Sequence, residues 1–452
     1  MTTPHSLKHI SGPADRQGTR TLVLHPEVGR QANGTARSGE SRLAEACGLA
    51  AAIHLDVAHA CVVSVRVARP ATLFTTGKLD ELKALIETLG IALVVVNASI
   101  SPGQQRNLET HWNAKVLDRT GLILEIFGER AQTKEGRLQV ELAHLNYQKT
   151  RLVRSWTHLE RQRGGMGFLG GPGETQIEAD RRQISERIVK IRAELELVTR
   201  TRALHRVARK RVPYPVIALV GYTNAGKSTL FNAMTRADVF AKDLLFATLD
   251  PTMRAVALPG NLHAILSDTV GFISDLPTDL VAAFRATLEE VVAADLILHV
   301  RDISHDESED QRKDVLNVLS SLGVDVAGEA GRILEVWNKI DALNEETRLA
   351  TERRAERGEG LARAVPVSAL TGEGIDGLRE RIVQILSASR RRVELVVRPE
   401  EGDLLAWLYA RGGVVTRADQ DDGTIRIGAV LGPEDMGRLD RRLARASQDA
   451  VK

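Results

Sequence analysis

Cysteine is almost absent from this chain, since only Cys47 and Cys61 occur among its 452 residues. They form no CxxC pair, and none of the 12 histidines lies in a zinc-binding pattern. A disulfide-stapled scaffold is therefore excluded, and two isolated thiols are typical of a protein from a reducing compartment. We assign no structural metal.

Long apolar runs, aromatic residues and an excess of charge are missing as well. No apolar segment approaches the ~20 residues of a membrane-spanning helix, and the N-terminus lacks the charged-then-apolar pattern of a signal peptide. We therefore expect a cytoplasmic protein with no membrane span. Aromatic residues make up 4% of the chain and the net charge is +2, so nucleic-acid binding would require local basic patches.

The length predicts at least three folding units. Residues 1–18 are polar and are predicted to be a disordered tail. The rest is divided into an N-terminal α/β domain (19–131), a helical hairpin (132–212), a second α/β domain (213–388) and a C-terminal α+β domain (389–452). In the first domain, strand-like runs at 22–24, 61–67 and 91–96 alternate with helix-like runs at 43–53, 79–89, 104–111 and 122–130, a pattern typical of a mostly parallel sheet.

Two heptad-like seams predict that the hairpin consists of two antiparallel helices. The first seam is Leu138, Leu142, Leu145, Leu152, Trp156 and Leu159, and the second is Ile177, Ile184, Ile188, Ile191, Leu195 and Val198. Between them lies a glycine-rich segment, 164–173, with six glycines in ten residues. This is more than a helix connection needs, which favours a functional tip, although a plain connector is the alternative.

The second α/β domain carries a phosphate-binding loop. Residues 221–228 read GYTNAGKS, which matches G-x-x-x-x-G-K-[ST] between an apolar strand and a helix start. In such a loop the backbone amides surround the phosphates, Lys227 reaches the outer phosphates, and the Ser228 hydroxyl binds Mg²⁺. The sequence therefore predicts a nucleoside triphosphate and Mg²⁺ at this site.

Three later motifs complete the predicted site. Asp268 begins DTVG after a strand, which suits an acid near Mg²⁺ and a Gly271 amide that senses the γ-phosphate. Asn338-Lys339-Ile340-Asp341 favours guanine, because the Asp341 carboxylate can accept from two N–H groups of its base edge. GTP is therefore the expected ligand. The tripeptide Ser368-Ala369-Leu370 lies where a backbone amide would contact the base.

We predict nucleotide contacts for Gly221, Tyr222, Thr223, Asn224, Ala225, Gly226, Lys227, Ser228, Phe246, Ala247, Thr248, Leu249, Asp250, Asp268, Thr269, Val270, Gly271, Asn338, Lys339, Ile340, Asp341, Ser368, Ala369 and Leu370. Lys227, Thr248 and Gly271 are the predicted catalytic residues. Thr248 and Thr252 both qualify as the second magnesium ligand beside Ser228, and either threonine could instead cap a turn. Phe272 occupies the position where Ras-type enzymes orient the attacking water, which predicts slow intrinsic hydrolysis.

The segments GYTNAGKSTLFNA, FATLDPT, DTVGF, NKID and GGPGETQIEADRR resemble the HflX family of ribosome-associated GTPases, over about residues 22–388. The resemblance implies that Thr248 is the magnesium ligand and that the protein binds the large ribosomal subunit and its rRNA. It also implies a hairpin tip directed toward the peptidyl transferase region, the splitting of stalled ribosomes under stress, and partial association with ribosomes or membranes. The tip lacks the arginine expected near Gly171, so direct phosphate contact by the tip is not carried over. The segment 97–101 is less acidic than expected, so ATP-related activity of the N-terminal domain is not carried over either.

Basic side chains on the hairpin offer a moderate case for RNA binding. We predict contacts for Arg154, Arg163, Gly164, Gly165, Gly167, Gly170, Gly171 and Gly173, with further basic residues at Lys149, Arg151, Arg161, Arg181, Arg182 and Arg187. The alternative is a solvated face paired with glutamates at helical spacing. A GTP-liganded RNA-binding assembly or silencing factor remains the second functional hypothesis, and a P-loop kinase or ATPase is a distant third. Off the ribosome, a monomer is the simplest expectation.

Overall fold

The computed structural model describes residues 18–29, 38–162, 172–209, 214–235, 252–274, 290–326, 332–357, 364–388, 391–399, 401–410, 414–420, 422–431, 436, 438–439 and 442–443. Residues 1–17 of the predicted tail, the switch segment 246–250 and residues 163–171 at the predicted hairpin tip lie outside this range. Among the described helices, none has the length and apolar character needed to cross a membrane.

The N-terminal part folds as a four-stranded parallel sheet in the order β2-β1-β3-β4. Its elements are β1 (Arg20–Val28), α1 (Gly39–Ala52), β2 (Asp56–Val65), α2 (Thr76–Leu89), β3 (Leu93–Val96), α3 (Pro102–Trp112), β4 (Lys115–Asp118) and α4 (Arg119–Arg130). The sequence predicts all of these except β4, whose four residues contain a single apolar pair and give no periodic signal. All four residues of β3 are buried, as expected for a strand between parallel neighbours covered on both faces.

The start of α4 is fixed by its preceding aspartate. Asp118 ends β4, and its Oδ1 accepts a hydrogen bond from the Gly121 backbone N–H at 2.8 Å, which is the usual N-cap contact of a helix. Because the cap sets where the helix begins, Arg119 lies at the first helical position, at the carboxyl edge of the sheet. This edge faces the second α/β domain.

Two long helices, α5 (Lys134–Gln162) and α6 (Pro172–Arg209), pack against each other. At ~1.5 Å per residue, the 29 residues of α5 extend about 43 Å. On α6, the predicted seam residues Ile188 and Ile191 are buried. The helix begins at Pro172, so Gly173 lies in its first turn rather than in the predicted tip loop, because proline is favourable at a helix start.

The second α/β domain is built on a six-stranded sheet in the order β10-β9-β8-β5-β7-β6, in which only β6 is antiparallel to its neighbour. Its strands are β5 (Val216–Gly221), β6 (Thr252–Leu258), β7 (Leu262–Asp268), β8 (Leu296–Asp302), β9 (Ile333–Asn338) and β10 (Val365–Pro366), and its helices are α7 (Lys227–Thr235), α8 (Ser308–Ser321), α9 (Glu345–Glu356) and α10 (Ile375–Ala388). The three predicted motifs follow β5, β7 and β9. Parallel strands end at the same edge, so the motifs meet there.

In the part that the structure describes, the C-terminal residues form a three-stranded antiparallel sheet and a helix that contacts it. This part consists of β11 (Arg391–Val397), α11 (Gly402–Ala410), β12 (Val414–Asp419) and β13 (Ile425–Leu431), in the sheet order β11-β13-β12. Leu408 and Ile427 are fully buried in its own core cluster. The predicted fold class, a P-loop α/β domain between a small α/β domain with a long hairpin and a small α+β domain, is confirmed.

Candidate nucleotide site

The phosphate-binding loop between β5 and α7 depends on two glycines. A Cβ at Gly221 would lie 2.1 Å from the backbone oxygen of Val300 on the neighbouring strand β8. Gly226 has a φ of +86°, and a Cβ there would lie 2.2 Å from Nδ2 of Asn338. Any larger residue at either position would displace a neighbouring strand or loop, so these two positions of the motif are required by the packing of the loop.

Lys227 opens α7 and is buried, with 6% of its surface exposed. Its ammonium group donates to the backbone oxygens of Gly221 at 3.2 Å and Tyr222 at 2.8 Å, so the side chain lies folded along the loop. Burial lowers the pKa of Lys227 to about 8, although the negative charge of Asp268 opposes this shift. The Lys227 ammonium group, which donates to these two carbonyl oxygens, is well suited to bind phosphate oxygens. Their negative charge would raise the pKa of Lys227 again and favour its charged form.

Ser228 and Asp268 bring two hard oxygen donors together. The Ser228 hydroxyl donates to Oδ2 of Asp268 at 2.7 Å, and Asp268 itself is fully buried at the end of β7. Mg²⁺ prefers hydroxyl, carboxylate and water oxygens. The residues present therefore fit a magnesium ion next to the phosphate-binding loop. Thr252, the alternative second ligand, is the first residue of β6, and Thr248 lies outside the described residues.

The DTVG loop passes directly over the phosphate-binding loop. A Cβ at Gly271 would lie 2.9 Å from Cα of Thr223 and 3.0 Å from Nζ of Lys227. Phe272 then forms a short parallel bridge with Tyr222: its N–H donates to Gly221 O at 3.0 Å, and its carbonyl accepts from Thr223 N–H at 2.7 Å. The Phe272 side chain is buried, with 4% exposed. The position after DTVG is therefore packed into the protein interior, and its side chain has no group that could orient water.

The base-recognition motif is anchored by Asn338. Its Nδ2 donates to Ala225 O at 2.8 Å, and its Oδ1 accepts from Ala369 N–H at 2.9 Å, so one buried amide joins the phosphate-binding loop to the Ser368-Ala369-Leu370 loop. Asn338 thus holds two loops in place rather than presenting its side chain to solvent. Lys339 adopts a left-handed conformation with φ +67° and forms an ion pair with Asp302 at 2.7 Å.

The residues predicted to contact the base face outward. Asp341 is exposed in the short 3-10 helix Ile340–Ala342, and Leu370 is 79% exposed beside the buried Ser368. The structure therefore brings together the predicted residues of the phosphate loop, the DTVG loop, NKID and the SAL loop. The predicted switch residues Phe246, Ala247, Thr248, Leu249 and Asp250 lie outside the described residues.

Two of the basic residues considered for RNA contact are engaged within the protein. Arg151 forms an ion pair with Asp118 at 2.6 Å and lies over the ring of Tyr147. Arg187 on α6 forms a pair of hydrogen bonds with the Glu141 carboxylate on α5. Both pairs connect different elements, with Asp118 at the end of β4 and Glu141 on α5, whereas the alternative predicts glutamates at helical spacing. Arg163, Gly164, Gly165, Gly167, Gly170 and Gly171 lie outside the described residues.

The sequence reasoning missed a buried polar cluster between the two α/β domains. It consists of Glu45, Arg119, Tyr222 and Ser274, which we call the interdomain cluster. Glu45 and Ser274 are separated by 229 residues and Arg119 and Ser274 by 155, so no spacing in the sequence connects them. The motif predicts a nucleotide contact for Tyr222, but nothing in it assigns a role to the Tyr222 hydroxyl.

Comparison with known proteins places these features in one family. Four family profiles match successive parts of the chain: a GTP-binding GTPase N-terminal region at 40–128, a GTP-binding GTPase middle region at 130–209, a 50S ribosome-binding GTPase domain at 216–339 and an HflX C-terminal domain at 353–452.

Individual relatives match over most of their length. A GTPase HflX from Magnetococcus marinus is 50% identical, with 94% of each chain covered, and one from Escherichia coli is 44% identical, covering 80% of this chain and 83% of its own. A solved GTP-binding protein from Sulfolobus solfataricus, in complex with GDP, is 25% identical with a TM-score of 0.43 and covers 82% of this chain and 99% of its own. Given the family profiles that match along the chain and HflX relatives that are 44% and 50% identical over most of its length, the chain belongs to the HflX family of GTPases and hydrolyses GTP.

Proposed function

We propose that this GTPase binds the large ribosomal subunit in its GTP-bound state and splits or rescues stalled ribosomes under stress. The observation that carries the proposal is the match of residues 216–339 to a family described as 50S ribosome-binding GTPases. A hairpin of two long helices packed on α3 and α4 supports it, because such a projection can reach into a large partner. The proposed partners are GTP or GDP, the large subunit and its rRNA.

Each residue of the predicted site has its own role in hydrolysis. Lys227 and the backbone amides of the phosphate-binding loop bind the phosphates, and the Gly271 N–H is placed to sense the γ-phosphate. Ser228, with Thr248 from the switch segment, would hold Mg²⁺, and Asp268 would orient it. The ion would neutralise charge on the β- and γ-phosphate oxygens. Asp341 would read guanine through two N–H groups, which adenine cannot offer.

Hydrolysis by the free protein is expected to be slow. Phe272 is buried and cannot orient a water molecule, so we expect a rate on the order of 10⁻⁴ to 10⁻² per second, the range of GTPases that act without an activating partner. The large subunit would then raise the rate by rearranging the loops around Gly271. Steady-state GTP and ATP hydrolysis, with and without isolated large subunits, tests this directly. A turnover near 10 per second without subunits would contradict it.

Nucleotide-dependent co-sedimentation with large subunits tests the switch itself. We expect more binding with a non-hydrolysable GTP analogue than with GDP. In Asp341→Asn, a xanthosine analogue should promote binding in place of the guanosine one, which shows that the nucleotide in this site controls the association. Equal binding with GDP and the GTP analogue would refute the proposed function.

The contribution of the hairpin is tested by charge reversal on α6. Arg181 and Arg182 are exposed, and Arg181→Glu/Arg182→Glu should weaken subunit binding and reduce its salt dependence. Arg353→Glu, on the exposed face of α9, is the matched control and should leave binding unchanged. Equal effects of the two variants would exclude this face of the hairpin from the contact.

The second candidate is an RNA-binding assembly or silencing factor that uses GTP as a ligand with little hydrolysis of its own. The buried Phe272 is the observation that favours it. Undetectable stimulation of GTP hydrolysis by subunits, with GTP bound normally, would support this candidate over the first.

A further inference from the structure

The interdomain cluster joins both loops of the nucleotide site to the N-terminal domain. Ser274 follows Gly271 by three residues, and its N–H donates to the Tyr222 hydroxyl at 2.7 Å. Tyr222 lies inside the phosphate-binding loop and donates this hydroxyl to Oε1 of Glu45 at 3.0 Å. One tyrosine oxygen therefore connects the loop that holds the phosphates to the segment that follows DTVG.

The N-terminal domain supplies the charged half of the cluster. Arg119 donates through Nη2 to the Ser274 carbonyl at 2.8 Å and to Glu45 at 3.0 Å, while the Ser274 hydroxyl donates to Oε2 of Glu45 at 2.7 Å. The side chains of Arg119 and Glu45 are only 9% and 12% exposed. Burial would raise the pKa of Glu45, but Arg119 and the hydrogen bond from Ser274 hold this pKa below its usual value. The ion pair is thus charged and shielded from water, where such contacts are strong and directional.

A further residue of the N-terminal domain, Asn97, holds Arg119 in place. Its Nη1 donates to Oδ1 of Asn97 at 2.6 Å, and the Asn97 amide contacts the Arg42 carbonyl at 3.0 Å and His25 Nδ1 at 3.2 Å. The segments that carry Arg119 and Ser274 are also joined by apolar packing, because the buried side chains of Ile123, Phe127, Phe272 and Ile273 belong to one continuous core. The N-terminal domain therefore holds the backbone and the hydroxyl of Ser274 through Arg119 and Glu45.

We propose that Glu45 and Arg119 are positioning residues for GTP hydrolysis, which act through Tyr222 and Ser274 to hold Gly271 and the phosphate-binding loop in register. Hydrolysis requires the Gly271 N–H to meet the γ-phosphate while the loop holds the other phosphates. Small errors in such placement reduce the rate of the chemical step more than they reduce binding. The N-terminal domain is then a structural part of the active site, although it touches no phosphate.

Substitutions that change a single group test this proposal without creating a cavity between the domains. Tyr222→Phe removes the shared hydroxyl, and Glu45→Gln removes the charge but keeps the volume. We expect each variant of the full chain to lower the single-turnover rate of GTP hydrolysis by about tenfold or more. KM for GTP and Kd for GDP should change little, whereas Tm should fall in Glu45→Gln, because this variant leaves the buried Arg119 guanidinium without its charged partner. The Tyr222 hydroxyl donates to the Glu45 carboxylate, so the two substitutions disrupt the same hydrogen bond. The double variant should therefore hydrolyse GTP no more slowly than the slower single variant.

A matched control lies in the same domain. Glu109 accepts a hydrogen bond from the Val116 N–H at 3.2 Å, away from the interdomain cluster, so Glu109→Gln should keep the wild-type hydrolysis rate. An unchanged or faster rate in Tyr222→Phe and Glu45→Gln would overturn the proposal. So would a slower rate with a parallel loss of GDP affinity, since that would indicate a merely structural role. Only the free protein is measured, so the result is independent of ribosome binding.

Discussion

Asn338 offers the sharpest test of how the nucleotide site is held together. The residue is 2% exposed, and its amide makes two hydrogen bonds, to Ala225 O at 2.8 Å and from Ala369 N–H at 2.9 Å. Asn338→Ala leaves both backbone groups buried without this partner. At about 1–3 kcal/mol for each such group, the domain should lose roughly 2–6 kcal/mol of unfolding free energy.

The same substitution should weaken GTP and GDP alike. Asn338 joins the phosphate loop to the base loop and touches no group placed to distinguish a γ-phosphate, so we expect both affinities to fall together, by about 10- to 100-fold, or 1.4–2.8 kcal/mol. Fluorescence titration with labelled GDP and a labelled non-hydrolysable GTP analogue measures the affinities, and urea denaturation measures the stability.

Asn344→Ala is the matched control for this test. Asn344 caps α9, and its side chain accepts from Thr347 N–H at 2.8 Å in an exposed position, so its loss should cost about 1 kcal/mol and leave nucleotide affinity unchanged. If Asn338→Ala bound nucleotides like the wild type and unfolded no more easily than Asn344→Ala, the loop-joining role would be refuted.

Three further predictions concern the same domain. Asp341→Asn should weaken GTP binding and strengthen xanthosine triphosphate binding, whereas Asp376→Asn, in the first turn of α10, should do neither; competition titration would show the exchange, and its absence would mean that Asp341 does not read the base. Gly226→Ala should abolish tight GTP binding because its Cβ meets Asn338, while Gly323→Ala, with a similar φ of +83° and open space around it, should cost only the ~1–2 kcal/mol of backbone strain in urea denaturation. Burial lowers the pKa of His299 to about 4, so the unfolded chain binds more protons than the folded one between pH 6.5 and 4, and about 3 kcal/mol of stability should be lost on acidification through this window; His299→Gln should flatten the pH dependence of denaturation, and an unchanged slope would contradict the assignment.

The sequence predicts the parts of the site that are local and misses those that are not. The motif at residues 221–228 predicts almost the whole phosphate-binding loop, because a tight turn around phosphate needs glycines and a lysine at fixed spacing. The alternation of strands and helices also predicts a mostly parallel sheet, although not the order of its strands. In contrast, the role of Asn338 as a joint between two loops appears only in the folded chain, since its partners Ala225 and Ala369 are 113 and 31 residues away. Strand β4 was missed for the related reason that its four residues are defined by pairing with β3.

Two residues at the end of β4 form hydrogen bonds with both the hairpin and the segment after DTVG. Asp118 accepts hydrogen bonds from the Tyr147 hydroxyl at 2.6 Å and from Arg151 at 2.6 Å, both on the hairpin helix α5. The next residue, Arg119, donates to the Ser274 backbone three positions beyond Gly271. Two adjacent residues therefore hold the base of the hairpin on one side and the segment after DTVG on the other. A shift of that segment cannot leave Arg119 in place without breaking buried, charge-assisted hydrogen bonds, which are among the strongest in the protein. If the position of Gly271 differs between the GTP and GDP states, the change can therefore reach the hairpin through the hydrogen bonds of Arg119 and of its neighbour Asp118.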